Sequence, residues 1–424
     1  MKTFRRGVHP KGNKSTSAFP IEIMDAPEIV TIPLSQHAGK EARAVVSPGD
    51  KVKAGTLIGA AQAGFSANVH SSVSGEVIGI IKAENTLGRK SAHISIKNDF
   101  SYEEERLAPL DNPTPEAIVQ RIFDAGIVGL GGATFPTAIK FQKKVRTLII
   151  NGAECEPYIT CDHRLMLEYP EKIMQGIAYA KLASGAEEVL IGVEANKPDA
   201  ISALERAASE DVQVVPLKTK YPQGGEKQLI YALTRKRVPE GGLPSDVGCL
   251  VVSIATGYAI YEACALGKPL YGRFMTVSGG GVVNPKNIYA RTGVPFSYLA
   301  DKLGSNDEWV KAIVGGPMMG IALDSLEPCC TKGVNALLLL TPGEISCLSY
   351  SECINCAKCA NVCPMRLMPM FIDANVQHER FAEAKRYGAL ACIECGCCAY
   401  ICPAKRPLVQ SIRVAKKIIR EKKI

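Results

Sequence analysis

Two cysteine runs near the end of this 424-residue chain restrict its fold more than any other feature. The first reads Cys353-x-x-Cys356-x-x-Cys359-x-x-x-Cys363-Pro364, and the second Cys392-x-x-Cys395-x-x-Cys398-x-x-x-Cys402-Pro403. Three thiolates at this spacing hold three corners of a [4Fe–4S] cube, and the fourth cysteine, followed by proline, ligates the other cube. The ligand sets are therefore Cys353, Cys356, Cys359 and Cys402 for one cluster, and Cys392, Cys395, Cys398 and Cys363 for the other. Paired Cys-x-x-Cys units also make zinc sites, but zinc needs four sulfurs and leaves the Cys-Pro endings without a role. A disulfide framework belongs to short secreted chains. The runs predict an α-helical two-cluster domain over 345–424, helix-like between Met368 and Leu390, that moves electrons one at a time.

The length suggests several domains, each with chain enough to bury a core. No apolar run reaches bilayer-spanning length, so no transmembrane span is expected. The start, Met1 to Gly7, leads into no apolar stretch of the signal-peptide kind. Thiolate-held clusters suit a reducing interior. The net charge of +8 is concentrated at the ends: residues 404–424 carry +7 and residues 1–20 carry +5, leaving a mildly acidic body. Only 6% of residues are aromatic, and a nucleic-acid binder spreads its charge over a folded face with stacking or base-reading groups. Nucleic acid is not an expected partner. The basic ends are expected to solubilise the chain or dock a partner.

Residues 30 to about 95 carry β-branched runs separated by turn signals at Pro48-Gly49 and Ser74-Gly75. The Gly-Asp-x-Val-x-x-Gly and Val-Ser-Gly-x-Val phrases resemble a biotinyl/lipoyl barrel-sandwich domain, expected over 1–95. That family attaches its cofactor to a lysine at one hairpin tip, whereas 64–70 here contains none. His37 and His70 are given no role. After a polar, acidic linker, residues 113–268 alternate strand patterns (147–151, 189–193, 212–217, 249–254) with helical ones (115–125, 165–183, 198–208, 226–234). Such alternation predicts a parallel sheet with helices on both faces, and ligands at the carboxyl ends of its strands.

Two stretches of this α/β domain carry chemistry. Residues 126–140 form a glycine-rich loop closed by Phe135-Pro136 and Lys140. Glycines let backbone amides approach a phosphate, and a helix after Pro136 would offer its positive end. No Gly-Lys-Ser/Thr follows, so this is not a Walker A loop. By the residues alone, phosphate binding and an ordinary glycine turn stay equally open. The strand 147–151 then ends in Asn151-Gly-Ala-Glu154-Cys-Glu156-Pro157, polar groups where a parallel sheet presents its ligands, or simply a turn with an exposed acid pair.

Gly-x-Gly-Gly-Ala-x-Phe-Pro-Thr followed by Asn-x-x-Glu-x-Glu-Pro resembles the FMN and NADH signatures of the 51-kDa-type subunit of respiratory complex I. Tyr221-Pro-Gln-Gly224-Gly-Glu226 resembles that family's flavin segment. With Gly-Gly-Pro-Met-Met-Gly at 315–320, the wording over essentially the whole chain is similar to the RnfC family, from the Rnf complexes that couple NADH/ferredoxin electron transfer to ion pumping. The resemblance implies that Gly129, Gly131, Gly132, Lys140, Asn151, Glu154, Tyr221, Gly224 and Thr256 hold FMN. It also implies that Phe135, Glu156 and Glu226 contact NAD(H), the two glutamates as catalytic groups. Ser253, Ala153 and Gly225 depart from complex I, which has asparagine at the first position and acids at the other two.

A translocase component of this kind is a peripheral NAD-dependent oxidoreductase at the cytoplasmic face of the membrane. Its partners are the other subunits of the complex and, through one of them, ferredoxin. The alternative is a soluble flavin/iron–sulfur reductase of the same build serving a corrinoid enzyme. The resemblance further implies a β-grasp module of the soluble-ligand-binding type over 271–327. Beyond Pro407 an amphipathic helix is expected to pack its Leu408, Ile412, Ala415 and Ile419 stripe on the core. Cys155, Cys161, Cys249, Cys264, Cys329, Cys330, Cys347 and Cys397, outside the ligand sets, are expected to be reduced, small and buried.

Overall fold

A computed structural model describes residues 1–86, 88–345 and 349–423 of the chain. Cys347 lies outside the described residues. Within them, the chain builds a β-rich unit, a parallel α/β unit, a mixed sheet with one helix and a small helical unit in sequence.

The first unit is a pair of small antiparallel sheets. One orders the strands Ile29–Pro33, Lys90–Asn98, Gly75–Glu84 and Lys51–Val52, and the other Arg43–Ala44, Leu57–Ala60 and Val69–His70. Alternation drives the closure, since Val30, Ile32, Ile94, Ile96 and Val77 turn inward and are fully buried. The unit is thus the anticipated barrel-sandwich, but its last strand runs to Asn98. Residues 1–19 do not belong to it. That arm lies across the later units instead: Val8 bridges Tyr221, the Gly7 amide donates to Val362 O, and the Tyr158 amide donates to Gly12 O.

In the α/β unit the four strands Val212–Leu217, Glu188–Glu194, Thr147–Gly152 and Cys249–Ser253 lie side by side in that order, all parallel. Ile150 sits level with Ile191 on one side and Val252 on the other. The helical run expected over 165–183 is split into Cys161–Glu168 and Pro170–Ser184. Pro170 cannot donate inside a helix but fits its first turn.

The mixed sheet orders Lys286–Arg291, Gly272–Ser278, Ala336–Leu340, Lys311–Val314 and Ile321–Leu323, with helix Phe296–Leu303 against it. This is β-grasp topology, and its central strand is the last in sequence. The module therefore ends at Leu340 rather than at 327, and the arm adds Ile21–Ile23 as a parallel edge strand. Its core runs continuously into that of the barrel-sandwich.

The last unit holds both cysteine runs, helices Pro369–Gln377 and Phe381–Arg386 between them, and helix Leu408–Glu421 after them. Leu408, Ile412, Ala415 and Ile419 are buried as their spacing requires. Among the described residues no helix is long and apolar enough to cross a membrane.

Candidate functional site

The carboxyl ends of the parallel strands and the glycine-rich loop meet at one edge of the α/β unit. Ser253 ends a strand and caps helix Ile254–Leu266, its hydroxyl accepting from the Thr256 amide. Thr256 Oγ1 in turn accepts from the Leu130 amide at 2.9 Å, fixing the loop beside the helix start. Asn151 Nδ2 donates to Gly224 O at 2.9 Å, and Asn151 Oδ1 accepts from the Ala153 amide at 3.2 Å. The segments 129–132, 151–153, 221–224 and 253–256 are thereby brought together.

The residues fit a flavin phosphate by shape. A Cβ built on Gly132 would meet nothing within 4 Å, and one on Gly129 nothing nearer than 3.7 Å, so backbone lies open to a ligand. Helix Thr137–Lys140 is a single turn, so its N-terminal field is weak and the cation is supplied by Lys140. The Lys140 ammonium donates to Val251 O at 3.2 Å and sits 3.7 Å from Glu226, whose side chain is 45% exposed. Phe135 packs its ring 5.3 Å from Phe65, at the hairpin tip where the barrel-sandwich family carries its lysine. The tip here serves as a wall of the α/β site.

Two expected ligand residues are engaged elsewhere. Glu154, with backbone φ of +45°, turns its carboxylate into the start of helix Cys161–Glu168 and accepts from the Asp162 and His163 amides at 2.7 and 3.3 Å. A helix start collects anions because its first amides have no internal partner. Burial pushes the Glu154 carboxyl up, against the pull of Lys14 and Lys197. Glu156 accepts from the Met318 and Met319 amides at 3.1 and 3.0 Å and from the Tyr221 hydroxyl at 3.3 Å. Its carboxylate thus fixes the turn 315–320, and Phe135 and Glu226 remain to meet a dinucleotide.

Burial raises Glu156 to about 7 against those three hydrogen bonds. A carboxyl raised in the folded chain binds a proton that the unfolded chain has lost, so it contributes a loss of stability as pH rises from about 4.5 to about 7. Glu156→Gln removes that contribution. Relative to the parent, the variant is expected to gain about 1–2 kcal/mol between pH 5 and pH 8, the partial exposure of Glu156 reducing the full linkage value. Denaturant titrations at both pH values check this, and an unchanged difference would refute the assignment.

The cysteines form two separate cavities. Cys363 lines one with Cys392, Cys395 and Cys398, and Cys402 lines the other with Cys353, Cys356 and Cys359. Each fourth cysteine thus faces the other run's cavity. Among the described residues no group of three or more His, Cys, Asp or Glu converges on a single-ion position. Sulfurs spread around a cavity suit a cube better than one tetrahedral ion.

The second-run cavity lies against the α/β unit. Val8, Tyr221, Cys395 and Cys397 share one buried cluster with Cys155 and Met318. Gly396, at φ +79°, approaches Met318 so closely that a Cβ would lie 2.5 Å from its carbonyl oxygen. The first-run cavity has Cys353 and Cys356 exposed. Of the other cysteines, Cys161, Cys249, Cys264, Cys329, Cys330 and Cys397 are buried and Cys155 is half-buried, its thiol pushed up to about 12 by burial and by Glu194.

Several groups here escaped sequence reasoning. Lys14 donates to the carbonyls of Glu154, Glu156 and Ile159, Arg6 to Ala360 O, and Lys2 to Leu233 O. The basic arm is an internal strap, not a free docking tail. Arg273, fully buried, donates to Leu130 O and Val334 O. A charge inside the apolar strand Gly272–Ser278 was the one available signal, since such residues are buried only with partners.

Comparison with known proteins adds three matches. Residues 2–101 match the RnfC barrel sandwich hybrid domain, 122–262 the Nuo51 FMN-binding domain, and 347–403 a 4Fe-4S dicluster domain. The chain is 43% identical to the RnfC subunit of the Na(+)-translocating ferredoxin:NAD(+) oxidoreductase complex of Acetobacterium woodii, covering 98% of this chain and 97% of that one. It is 44% identical to the proton-translocating counterpart of Clostridium ljungdahlii (98% and 94% covered), and 40% identical to the counterpart from the ion-translocating oxidoreductase complex of Rhodobacter capsulatus (98% and 82%). A solved NAD+-reducing [NiFe]-hydrogenase in its H2-reduced state shares the fold at TM-score 0.52 and 20% identity, over 76% of this chain and 66% of that one.

Proposed function

The chain belongs to the RnfC family of ion-translocating ferredoxin:NAD(+) oxidoreductase complexes, and from that premise we propose that it is the peripheral electron-input subunit of such a complex. It passes electrons between NADH, FMN and two [4Fe–4S] clusters at the cytoplasmic face of the membrane. Its partners are the membrane subunits and, through one of them, ferredoxin. Relatives named for sodium and for proton translocation match almost equally, at 43% and 44%, so the likeness of this chain does not follow the ion.

One observation carries the reading. The Tyr221 segment touches Asn151 through Gly224 on one side and the Cys395–Cys397 stretch on the other. FMN, when bound, takes a hydride from NADH as an electron pair and gives electrons up singly. Gly129, Gly131 and Gly132 would offer backbone to the flavin phosphate, with Lys140 as the point charge. Asn151 and Gly224 would hold the ring side, and Phe135 and Glu226 the dinucleotide. The second-run cluster is then proximal to the flavin and the first-run cluster, with its exposed cysteines, the exit to a partner.

The purified protein is expected to release its flavin intact on acid or heat, as the mononucleotide, and NADH should bleach the bound flavin. Lys140→Ala should weaken FMN binding about tenfold or more, the loss of one charged hydrogen bond. Recovery of FAD, or flavin that NADH leaves oxidised, would overturn the reading.

A further inference from the structure

Cys397 belongs to neither ligand set, yet it occupies the contact between the flavin segment and the second-run cavity. It stands at the start of the short helix Cys397–Ile401, directly before the ligand Cys398, and is 1% exposed. Its Sγ lies 3.8 Å from Tyr221 O, within reach of an S–H donor. The same Sγ makes a side-chain hydrogen bond with the sulfur of Cys395, a ligand of the second-run set. Tyr221 itself is held firmly, its amide donating to Val8 O at 2.9 Å and its hydroxyl to Glu156. A single proton therefore sits between two acceptors, one belonging to the cluster and one to the flavin segment.

Resting on the two-cluster reading above, we propose that Cys397 sets the potential of the flavin-proximal cluster by donating its S–H to the Cys395 sulfur. An added electron makes that sulfur a better acceptor, because hydrogen bonds to charged acceptors are stronger than those to neutral ones. Donors to the sulfurs of such clusters raise their potentials. Cys397 keeps its proton throughout. It turns its S–H from Tyr221 O toward Cys395 as the electron arrives, and no covalent bond forms or breaks. The second-run ligands already receive two further donors, the Glu394 amide to Cys392 Sγ at 3.3 Å and the Leu367 amide to Cys363 Sγ at 3.4 Å. Cys397 is the one donor of this group that also touches the flavin side. A cluster poised higher accepts single electrons from the flavin more readily, so Cys397 would bias the first intramolecular step.

The test is a redox titration of the whole protein followed by EPR, with iron counted in each variant. In Cys397→Ala the reduced-to-oxidised ratio of one cluster, at fixed solution potential, is expected to fall about tenfold, which is 59 mV for one electron. The other cluster should stay unchanged, and Cys397→Ser, which keeps a donor, should restore the ratio to within threefold. If Cys397→Ala loses iron, Cys397→Val takes its place, having no donor and a volume nearer to cysteine. Full iron with an unmoved ratio in a donor-free variant overturns the proposal, as does an equal shift of both clusters. Iron loss in both donor-free variants overturns it too, by assigning Cys397 to packing alone. A parent protein holding fewer than about eight irons would instead sink the two-cluster reading.

Discussion

Cys402→Ala is expected to dismantle the cluster of the first run, although Cys402 lies in the second. Iron should fall from about eight to about four per chain, and the surviving EPR signal should belong to the Cys392, Cys395 and Cys398 set. The reason is geometric: Cys402 lines the cavity of Cys353, Cys356 and Cys359, and Cys363 lines the other. Cys363→Ala is the reciprocal case. It should remove the cluster nearest Tyr221, leaving a flavin that NADH still bleaches but that no longer reduces the first-run cluster rapidly. Damage in Cys402→Ala confined to the Cys392, Cys395 and Cys398 cluster would show that the ligation is not crossed.

Lys332→Ala is expected to destabilise the protein by about 3 kcal/mol and to lower its first thermal transition by several degrees, with loss of flavin. Lys332 is buried at the junction of three units, donating to Asn68 O of the barrel-sandwich at 2.6 Å and to Gly126 O of the glycine-rich loop at 2.7 Å. Gly126 is required there, at φ +64°, because a Cβ would lie 2.3 Å from Asn68 O. Removing the amine leaves both carbonyls buried without a donor. Burial also lowers Lys332 to about 7, and burial followed by the Lys332 charge lowers His37 to about 4 and His70 to about 3. A neutral amine has two N–H bonds, matching the two carbonyls. The sign follows: a base held neutral in the fold contributes stability that is lost as pH falls from about 10.5 towards 7. The gap between parent and Lys332→Ala should therefore widen from pH 7 to pH 9 in denaturant titrations. A constant gap, or an unchanged transition, would remove Lys332 from this role.

Sequence alone determined what local rules control. The cysteine spacing specifies thiolate-held cubes, since three sulfurs two residues apart can reach only three corners of one body. Strand–helix alternation fixed the parallel sheet, because parallel neighbours need a crossover and both faces covered. The stripe of Leu408, Ile412, Ala415 and Ile419 fixed which face of the last helix is buried. Tertiary structure alone decided where charged side chains end. Glu154 and Glu156 look like exposed ligands in sequence, yet a helix start and a methionine turn hold them. Lys14 and Lys332 look like surface cations, yet their partners are carbonyls that follow or precede them by 140 or more residues. Such partners leave no periodicity behind, because a hydrogen bond depends on distance in space and not on separation along the chain. The same holds for Cys397, indistinguishable in sequence from a spare cysteine until Tyr221 is folded against it.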